Sequence, residues 1–276
     1  MSAALLHDRA LIRISGADAA TFLQGLVSVD VAAAGTDAAF GALLTPQGKI
    51  LFDFLFVLTP EGYLFDVAAG ARDALIARLK LYRLRAKVEI EPLSGWSVAA
   101  STGEVLSEGE VRAFPDPRLL DLGARLIGPR AAVAARIAGA DVLDYERHRI
   151  ARVVPEFGKD FGPDEMFLLD VNADALNGVS YKKGCFVGQE VSSRMKRKGE
   201  IRRRTVLAAF EGAAPPKGAP IVAGDSTLGE ILSGVDGMAL AAARLDRLEA
   251  SRAAGAEARA EGKSLRLEVP DYLEAR

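Results

Sequence analysis

The stretch AFGALLTPQGKILFDFLFVLTPEGYLFDVA, residues 39–68, decides the fold class of this chain. Three apolar runs, AFGALLT, ILFDFLFVLT and YLFDVA, are separated by PQGK and PEG, which are glycine-containing connections of hairpin length. Apolar runs joined by such short turns are typical of consecutive strands that pair antiparallel. The stretch therefore predicts an antiparallel sheet, as in an α+β fold, rather than the parallel sheet of a doubly wound fold.

The segments on either side of this sheet extend the pattern. RALIRIS, residues 9–15, alternates as a strand does, and a helix is predicted directly after it. A second helix follows the hairpins, because Leu75, Ile76, Leu79 and Tyr82 recur at helical spacing, and AKVEIEPL then predicts another strand. The first part of the chain thus predicts the element order β-α-β-β-β-α-β.

The rest of the chain predicts a second lobe and a small barrel. WSVAAS and ARLIG read as strands, while PRAAVAARIAGA and DVLDYERHRIARVV read as helices. After Arg204, short apolar runs between glycines and prolines predict a β-barrel or sandwich, and LEASRAAGAEARAEGK predicts an exposed helical insertion. The predicted domains are residues 1–200, with two α+β lobes that meet near residue 92, and residues 201–276.

Composition and charge exclude several classes of protein. The chain has 276 residues, 50% of them hydrophobic, with 35 basic and 37 acidic side chains, so it can bury a core and has no general polyanion-binding charge. No apolar run reaches the length of a membrane-spanning helix, and MSAALLHDRALIRIS lacks a signal core, which predicts a cytoplasmic protein without a membrane partner. One cysteine and two histidines predict neither an internal disulfide nor a metal site built from this chain alone.

The single cysteine lies in YKKGCFVGQE, residues 181–190. Two lysines precede Cys185, and because nearby positive charge stabilises a thiolate, the cysteine is predicted to be reactive. Gly184 and Gly188 predict a turn whose backbone amides can approach a ligand without obstruction. A buried and inert cysteine is the alternative, since cysteine is among the most buried residue types.

The surroundings of the cysteine leave further alternatives open. His148 is the only histidine that could serve Cys185 as a base, although a lone histidine in a predicted helix is usually a packing or surface residue. Gln189 and Glu190 either orient a ligand or cap a turn. RMKRKGEIRRR, residues 194–204, is either a solvated face or a site for phosphate or polyglutamate, and without aromatic residues it does not resemble a platform for single-stranded nucleic acid.

Five further segments accompany the cysteine motif in chain order: IRISGADAATFLQGLVSVDV, LLTPQGKILFDFLFV, LYRLRAKVEI, RIARVVPEFGKDFGPDEMFLLD and GVDGMALAAARLD. Together with YKKGCFVGQE they resemble the YgfZ family of folate-binding proteins, over nearly the whole chain. That family is related to the aminomethyltransferase, or T-protein, of the glycine cleavage system. The resemblance implies a T-protein-like region of ferredoxin-like α+β lobes around a central cleft, followed by a C-terminal β-barrel.

The resemblance also implies a function in the assembly or repair of iron–sulfur clusters. The clients are 4Fe-4S enzymes, including radical-SAM enzymes of tRNA modification, the ligand is tetrahydrofolate, and the partners are A-type cluster carriers. Because one thiol supplies one ligand, a cluster would be transient and shared with a partner, so an accessory factor is expected rather than an enzyme. The implied site residues are Cys185 and Lys183 in the catalytic role, and Gly184, Gly188, Gln189, Glu190 and Asp53 in cofactor binding.

A tetrahydrofolate-dependent aminomethyl or methyl transferase is the alternative function. T-proteins carry a Gly-Gly-Ile-x-Asp-Asp segment, whereas QGKILFDF keeps the single acid Asp53 beside Phe52. Asp53 stands in an apolar strand, so it is either a buried carboxylate that needs a partner or a raised pKa, or an outward-facing residue of the strand. Direct RNA binding through residues 194–204 is the least favoured hypothesis.

Overall fold

A computed structural model describes residues 3–35, 37–103, 105–137, 139, 141–197 and 201–274 of the chain. The strands are β1 (Ala3–Leu5), β2 (Arg9–Ser15), β3 (Ala39–Leu44), β4 (Ile50–Thr59), β5 (Gly62–Ala68), β6 (Glu89–Pro92), β7 (Trp96–Ser101), β8 (Arg112–Pro115), β9 (Ala124–Pro129), β10 (Arg203–Ala209), β11 (Pro220–Ala223), β12 (Ser226–Val235), β13 (Met238–Arg244), β14 (Ala258–Ala260) and β15 (Lys263–Glu268). The α-helices are α1 (Ala19–Gln24), α2 (Val31–Ala34), α3 (Arg72–Arg83), α4 (Arg130–Arg136), α5 (Val142–Ala151), α6 (Gln189–Arg197), α7 (Leu245–Ala253) and α8 (Asp271–Glu274).

The antiparallel sheet predicted for residues 39–68 is present. β3, β4 and β5 are consecutive antiparallel neighbours in a sheet of order β3-β4-β5-β2-β6. One face is covered by α3, which buries Leu75, Ile76 and Leu79 in the same apolar cluster as the phenylalanines of β4. The opposite face packs on a second sheet, so both faces of the central strands are buried and their sequences are almost continuously apolar.

The second sheet has the order β1-β7-β9-β8, again with antiparallel pairs. Leu11 and Leu64 of the first sheet pack against Val98 and Ile127 of the second, which joins the two lobes through an apolar layer. Both helices predicted between residues 129 and 154 form, as α4 and α5. None of the described helices is both long and apolar enough to cross a membrane. The division of the lobes near residue 92 stays a prediction.

The C-terminal strands close into a barrel of order β10-β13-β12-β11-β14-β15, in which β15 pairs back on β10. Alanines of β13 point into its core, where a small barrel has little room for larger side chains. The predicted helical insertion, residues 248–263, is helical only in its first part, which belongs to α7. Residues 258–260 form the strand β14 instead and complete the barrel. The α+β class and the C-terminal barrel are thus confirmed, whereas the predicted boundary at residue 200 lies outside the described residues.

Candidate functional site

The cysteine motif, residues 181–190, is fastened to the N-terminal lobe by Lys183. The Lys183 side chain is buried, and its Nζ donates to the backbone oxygens of Val27 at 2.7 Å and Val29 at 2.8 Å. Burial lowers the pKa of Lys183 to about 8, and the nearby Asp30 carboxylate only partly opposes this shift. Lys183 therefore acts on the motif as an anchor, and no contact of the described residues joins its ammonium to Cys185.

Two glycines interlock the motif with the turn between β3 and β4. Gly188 has a φ of +78°, and a Cβ added there would lie 2.5 Å from the Thr45 backbone oxygen. Gly48 in that turn has a φ of +85°, and its added Cβ would lie 2.8 Å from Cβ of Val191. Gly184 differs, because nothing lies within 4 Å of its added Cβ. Only Gly188 of the two motif glycines is required by the packing.

We expect Gly188→Ala to lower the free energy of unfolding by at least about 2 kcal/mol, because it combines a left-handed backbone with a clash against backbone. Gly184→Ala is the matched control and is expected to change stability by less than about 0.5 kcal/mol. Urea denaturation of both variants measures the difference. Equal stabilities would show that the motif does not need this close approach.

Cys185 is exposed to solvent between two anchored neighbours. Phe186 is buried in the main apolar cluster, and Nζ of Lys183 lies 5.3 Å from the centroid of the Phe186 ring. The alternative of a buried cysteine is therefore wrong. No contact supports a Cys185–His148 pair either, since His148 Nε2 lies 2.7 Å from the backbone oxygen of Asp121. The fold thus presents one thiol at the surface without a histidine base in contact.

Gln189 and Glu190 are the first two residues of α6, where Glu190 complements the positive end of the helix dipole. Their side chains form no hydrogen bond with another described residue, so their predicted binding of a cofactor stays a prediction.

The basic run, residues 194–204, has ion-paired residues at its C-terminal end. Arg203 and Arg204 form ion pairs with Glu230 and Asp174, respectively. Residues 198–200 of that run lie outside the described part of the chain.

Asp53 lies apart from the cysteine motif, in the interior of the N-terminal lobe. Its side chain is buried, and Oδ2 accepts a hydrogen bond from the Phe157 backbone nitrogen at 3.2 Å. Burial raises the pKa of Asp53 to about 6, although Arg9 and Arg118 favour its charged form. The outward-facing alternative is therefore wrong, and the alternative of a buried carboxylate is confirmed.

A buried group of charges that the sequence did not reveal surrounds Glu156. Glu156 Oε1 accepts from Arg118 Nη1 at 3.2 Å, from Arg125 Nη2 at 2.9 Å and from the Tyr145 hydroxyl at 2.8 Å. Lys159 Nζ lies 3.1 Å from Glu156 Oε2. Burial opposes the charge of Glu156, but Lys159, Arg118 and Arg125 outweigh it and hold its pKa well below its usual range.

A cleft of about 390 Å³ lies beside this charged group, between the first sheet and the loop that follows α5. Its walls are mostly apolar, with the rings of Phe52 and Phe157 centred 6.0 Å apart. Arg9 and Lys159 supply its cationic groups, and Asp53 lies behind the wall through its bond to Phe157. The lining residues are Asp8, Arg9, Phe52, Ala68, Ala69, Gly70, Ala71, Ala74, Phe157, Gly158, Lys159, Gly162 and Pro163.

The raised pKa of Asp53 makes its effect on stability depend on pH. Since the folded-state pKa is about 6 against a usual 3.8, its stabilising contribution is complete below pH 3.8 and is lost as pH rises through 6. Asp53→Asn keeps an acceptor for Phe157 and does not ionise. Relative to wild type, we expect the variant to gain up to about 3 kcal/mol between the two ends of this window, measured by urea denaturation. A pH-independent difference would contradict a raised pKa.

No group of three or more histidine, cysteine, aspartate or glutamate side chains within the described ranges has the arrangement of a metal site. The site consists of two separate parts, an exposed thiol on an anchored loop and an apolar cleft beside buried charges.

The fold has a counterpart among solved structures. The glycine cleavage system aminomethyltransferase T from Bartonella henselae matches with a TM-score of 0.72 and 16% sequence identity, over 100% of this chain and 87% of that chain. Residues 202–275 match the family described as CAF17, C-terminal beta-barrel domain. The T-protein-like fold is thus confirmed. The fold and the site together define a class of protein with a T-protein-like fold and an exposed cysteine, here Cys185, in the segment that precedes the C-terminal barrel in the sequence.

Named relatives narrow this class to one family. The iron-sulfur cluster assembly factor IBA57, mitochondrial, of Homo sapiens is 32% identical over 270 residues, which are 86% of this chain and 75% of that protein. Its Mus musculus counterpart is 32% identical over 243 residues, 77% of this chain and 67% of that protein. The chain therefore belongs to the IBA57 family of iron–sulfur cluster assembly factors. The predicted assignment to the YgfZ family is therefore close but not exact, because YgfZ proteins are relatives of the IBA57 family.

The prediction of a cytoplasmic protein is wrong by the same comparison, because both relatives are named as mitochondrial proteins. The prediction rested on the lack of a long apolar run and of a signal core. Neither feature distinguishes the cytoplasm from another aqueous compartment, so neither could predict the compartment of this protein.

Proposed function

We propose that this protein is an accessory factor for the assembly or repair of iron–sulfur clusters, chiefly of the 4Fe-4S type, and that Cys185 is its functional thiol. The observation that carries the proposal is the exposed Cys185 on a loop held by the buried Lys183 and Phe186. A fixed and accessible thiol can meet a partner surface without first reorganising the loop. The names of the relatives support cluster assembly as the process.

One thiol supplies a single ligand, so the cluster is cargo shared with a second molecule. The partners we propose are A-type cluster carriers, which would bring the remaining ligands, and 4Fe-4S client enzymes, including those of tRNA modification. The described residues contain no group of side chains arranged as a metal site, which is consistent with a partner that supplies the remaining cluster ligands. Lys183 is then a positioning residue, because it holds the loop through Val27 and Val29.

We further propose that the 390 Å³ cleft binds tetrahydrofolate. Its volume falls within the range of about 300–1,000 Å³ that is usual for small-molecule sites. A pterin is flat and has a hydrogen-bonding edge, which fits apolar walls such as Phe52 and Phe157 with a few polar groups at one end. Arg9 and Lys159 are the cations available to an anionic ligand there, and both already have acidic partners. Binding would therefore compete with, or join, existing ion pairs.

A tetrahydrofolate-dependent transferase remains the second candidate, and one observation favours it. The pKa of Asp53 is raised by burial to about 6, close to the range in which a carboxyl group serves as a general acid or base. Asp53→Asn would then abolish transfer from an amine to tetrahydrofolate while folate binding remains. No transfer by the wild-type protein with a panel of amines would rule this candidate out.

The cluster proposal is tested with Cys185→Ser as the sole copy of the gene. We expect the activity of a 4Fe-4S enzyme in those cells to fall to the level of a deletion strain, because the substituted hydroxyl does not replace the thiolate as a ligand. Lys182→Ala, at an exposed neighbouring position, is the matched control. Full enzyme activity with Cys185→Ser would refute the role of this thiol.

The folate proposal is tested by anaerobic titration with tetrahydrofolate. Ala74 lines the cleft, whereas Ala77, one turn further along α3, is exposed and does not line it. We expect Ala74→Trp to weaken binding by at least about tenfold, since an indole would occupy the cleft, and Ala77→Trp to bind as wild type does. Equal binding by both variants would place folate elsewhere on the protein.

A further inference from the structure

The C-terminal end of α3 exposes two leucines that nothing in the proposed function uses. Leu81 is 70% exposed and Leu84, the residue that caps the helix, is 88% exposed. The opposite side of α3 buries Leu75, Ile76 and Leu79, so the helix cannot rotate to cover the exposed pair without losing that core contact. The two leucines are thus fixed in solvent by the packing of the lobe.

Leu84 is also held in an unfavourable backbone conformation. Its φ is +46° and its ψ is −108°, a conformation with positive φ that glycine adopts far more readily than leucine. An exposed apolar side chain at such a position stabilises neither the helix cap nor the core. Backbone strain of this kind is often associated with a binding function.

Basic residues flank the two leucines along the chain. The exposed cations are Arg78, Lys80, Arg83, Arg85 and Lys87. Residues 74–88 contain no aspartate or glutamate, and none of these five cations forms an ion pair with another described residue. The nearest acids along the chain are Asp73, which pairs with Arg72, and Glu89. In a chain of net charge −2 this is a local concentration of unpaired positive charge.

We propose that this surface, residues 78–87, docks on an anionic phospholipid bilayer. The leucines enter the boundary between headgroups and acyl chains, and the lysines and arginines remain at the level of the phosphates, as basic amphipathic surfaces do. Long basic side chains suit this arrangement because their methylene stems lie along apolar surface while their charges stay in water. The proposal differs from the sequence-based prediction of no membrane partner, which considered only spanning and signal segments.

A lipid surface suits this face better than a folded protein does. Leu81 and Leu84 protrude, and they line neither the 390 Å³ cleft nor a second cleft, of about 620 Å³, beside Tyr272. A bilayer accepts protruding leucines flanked by cations without a matching groove. An acidic protein would need a pocket of fitted shape for the same two side chains. Binding to a protein or to nucleic acid is therefore an alternative outcome of the test.

The test is sedimentation of the intact protein with vesicles of mixed phosphatidylcholine and phosphatidylglycerol, and with vesicles of phosphatidylcholine alone. We expect binding to the anionic vesicles only, and release by high salt. The variant Leu81→Gln/Leu84→Asn keeps all five cations, and asparagine occurs at positive φ more often than leucine does. It should bind at least about tenfold more weakly.

Leu106→Ser is the matched control, because Leu106 is 83% exposed outside this surface and its loss should leave vesicle binding unchanged. Thermal unfolding of each variant shows whether the fold is kept. Absence of wild-type binding to the anionic vesicles would overturn the proposal. Equal binding by wild type and the double leucine variant would also overturn it, since the attraction would then be that of a polycation for any polyanion, including an acidic protein or RNA.

Discussion

A Glu156→Gln variant is expected to lose about 3–5 kcal/mol of its free energy of unfolding, the range found when one partner of a buried ion pair is removed. Glutamine retains an oxygen that can accept from the Tyr145 hydroxyl, so the loss is one of charge rather than of shape. The buried Arg118 and Arg125 would face a neutral group away from water, and the partly exposed Lys159 would lose one of its acidic partners. Urea denaturation measures the change.

The matched control is Glu91→Gln on the protein surface. Glu91 pairs with Arg13 at 2.8 Å, but both side chains are well exposed, so the substitution should change stability by no more than about 1 kcal/mol. Similar losses from Glu156→Gln and Glu91→Gln would mean that the buried charges contribute no more than an ordinary surface pair.

Acid should weaken the same interaction in the wild-type protein. The pKa of Glu156 is depressed, so its contribution to stability is complete above pH 4.5 and is lost as pH falls through the lower, folded-state pKa. The stability gap between wild type and Glu156→Gln should therefore narrow in strong acid. A gap that is constant over this range would contradict the assignment of a buried, ionised Glu156.

Lys183→Met is expected to have the second-largest effect, a loss of about 2–4 kcal/mol. Methionine fills similar volume but donates no hydrogen bond, so the buried backbone oxygen of Val27 and the half-buried one of Val29 lose this donor. Residues 181–190 should then exchange their amide hydrogens faster, and support of 4Fe-4S enzymes should fall although Cys185 is intact.

Lys182→Met tests whether any lysine beside the cysteine matters. Lys182 is exposed, so its substitution should leave both the stability and the amide exchange of the motif unchanged. If Lys183→Met kept the motif protected from exchange while enzyme support was lost, Lys183 would act in the chemistry at the thiol rather than as its anchor.

The strands and helices were largely predictable because they depend on local pattern. β3, β4 and β5 follow from apolar runs between short turns, and α3 from the spacing of Leu75, Ile76 and Leu79. The end of the barrel was harder: residues 258–260 lie in a segment rich in alanine, glutamate and arginine, which favours helix, and only pairing with β11 and β15 makes them a strand. Tertiary pairing overrode local propensity there.

The site was less predictable because its contacts are long-range. Lys183 is near Cys185 in sequence, yet its ammonium bonds to residues more than 150 positions away. Arg118 and Arg125 lie 38 and 31 positions from Glu156 in the sequence, and no local pattern indicates that they meet it. The unusual position of Asp53 was visible in the sequence, because a single acid in an apolar strand is itself a local anomaly, and its side chain is indeed buried.

The return of β15 to β10 restricts how a partner can attach to the barrel. Among the described strands, β6 and β1 each pair with one neighbouring strand only, so each leaves one side where an incoming extended peptide could add a further strand. The barrel strands form a continuous ring of pairings and offer no such side. A partner that recognises the C-terminal region must therefore contact its side chains and loops. Binding by addition of a strand to a sheet edge is confined to the two lobes.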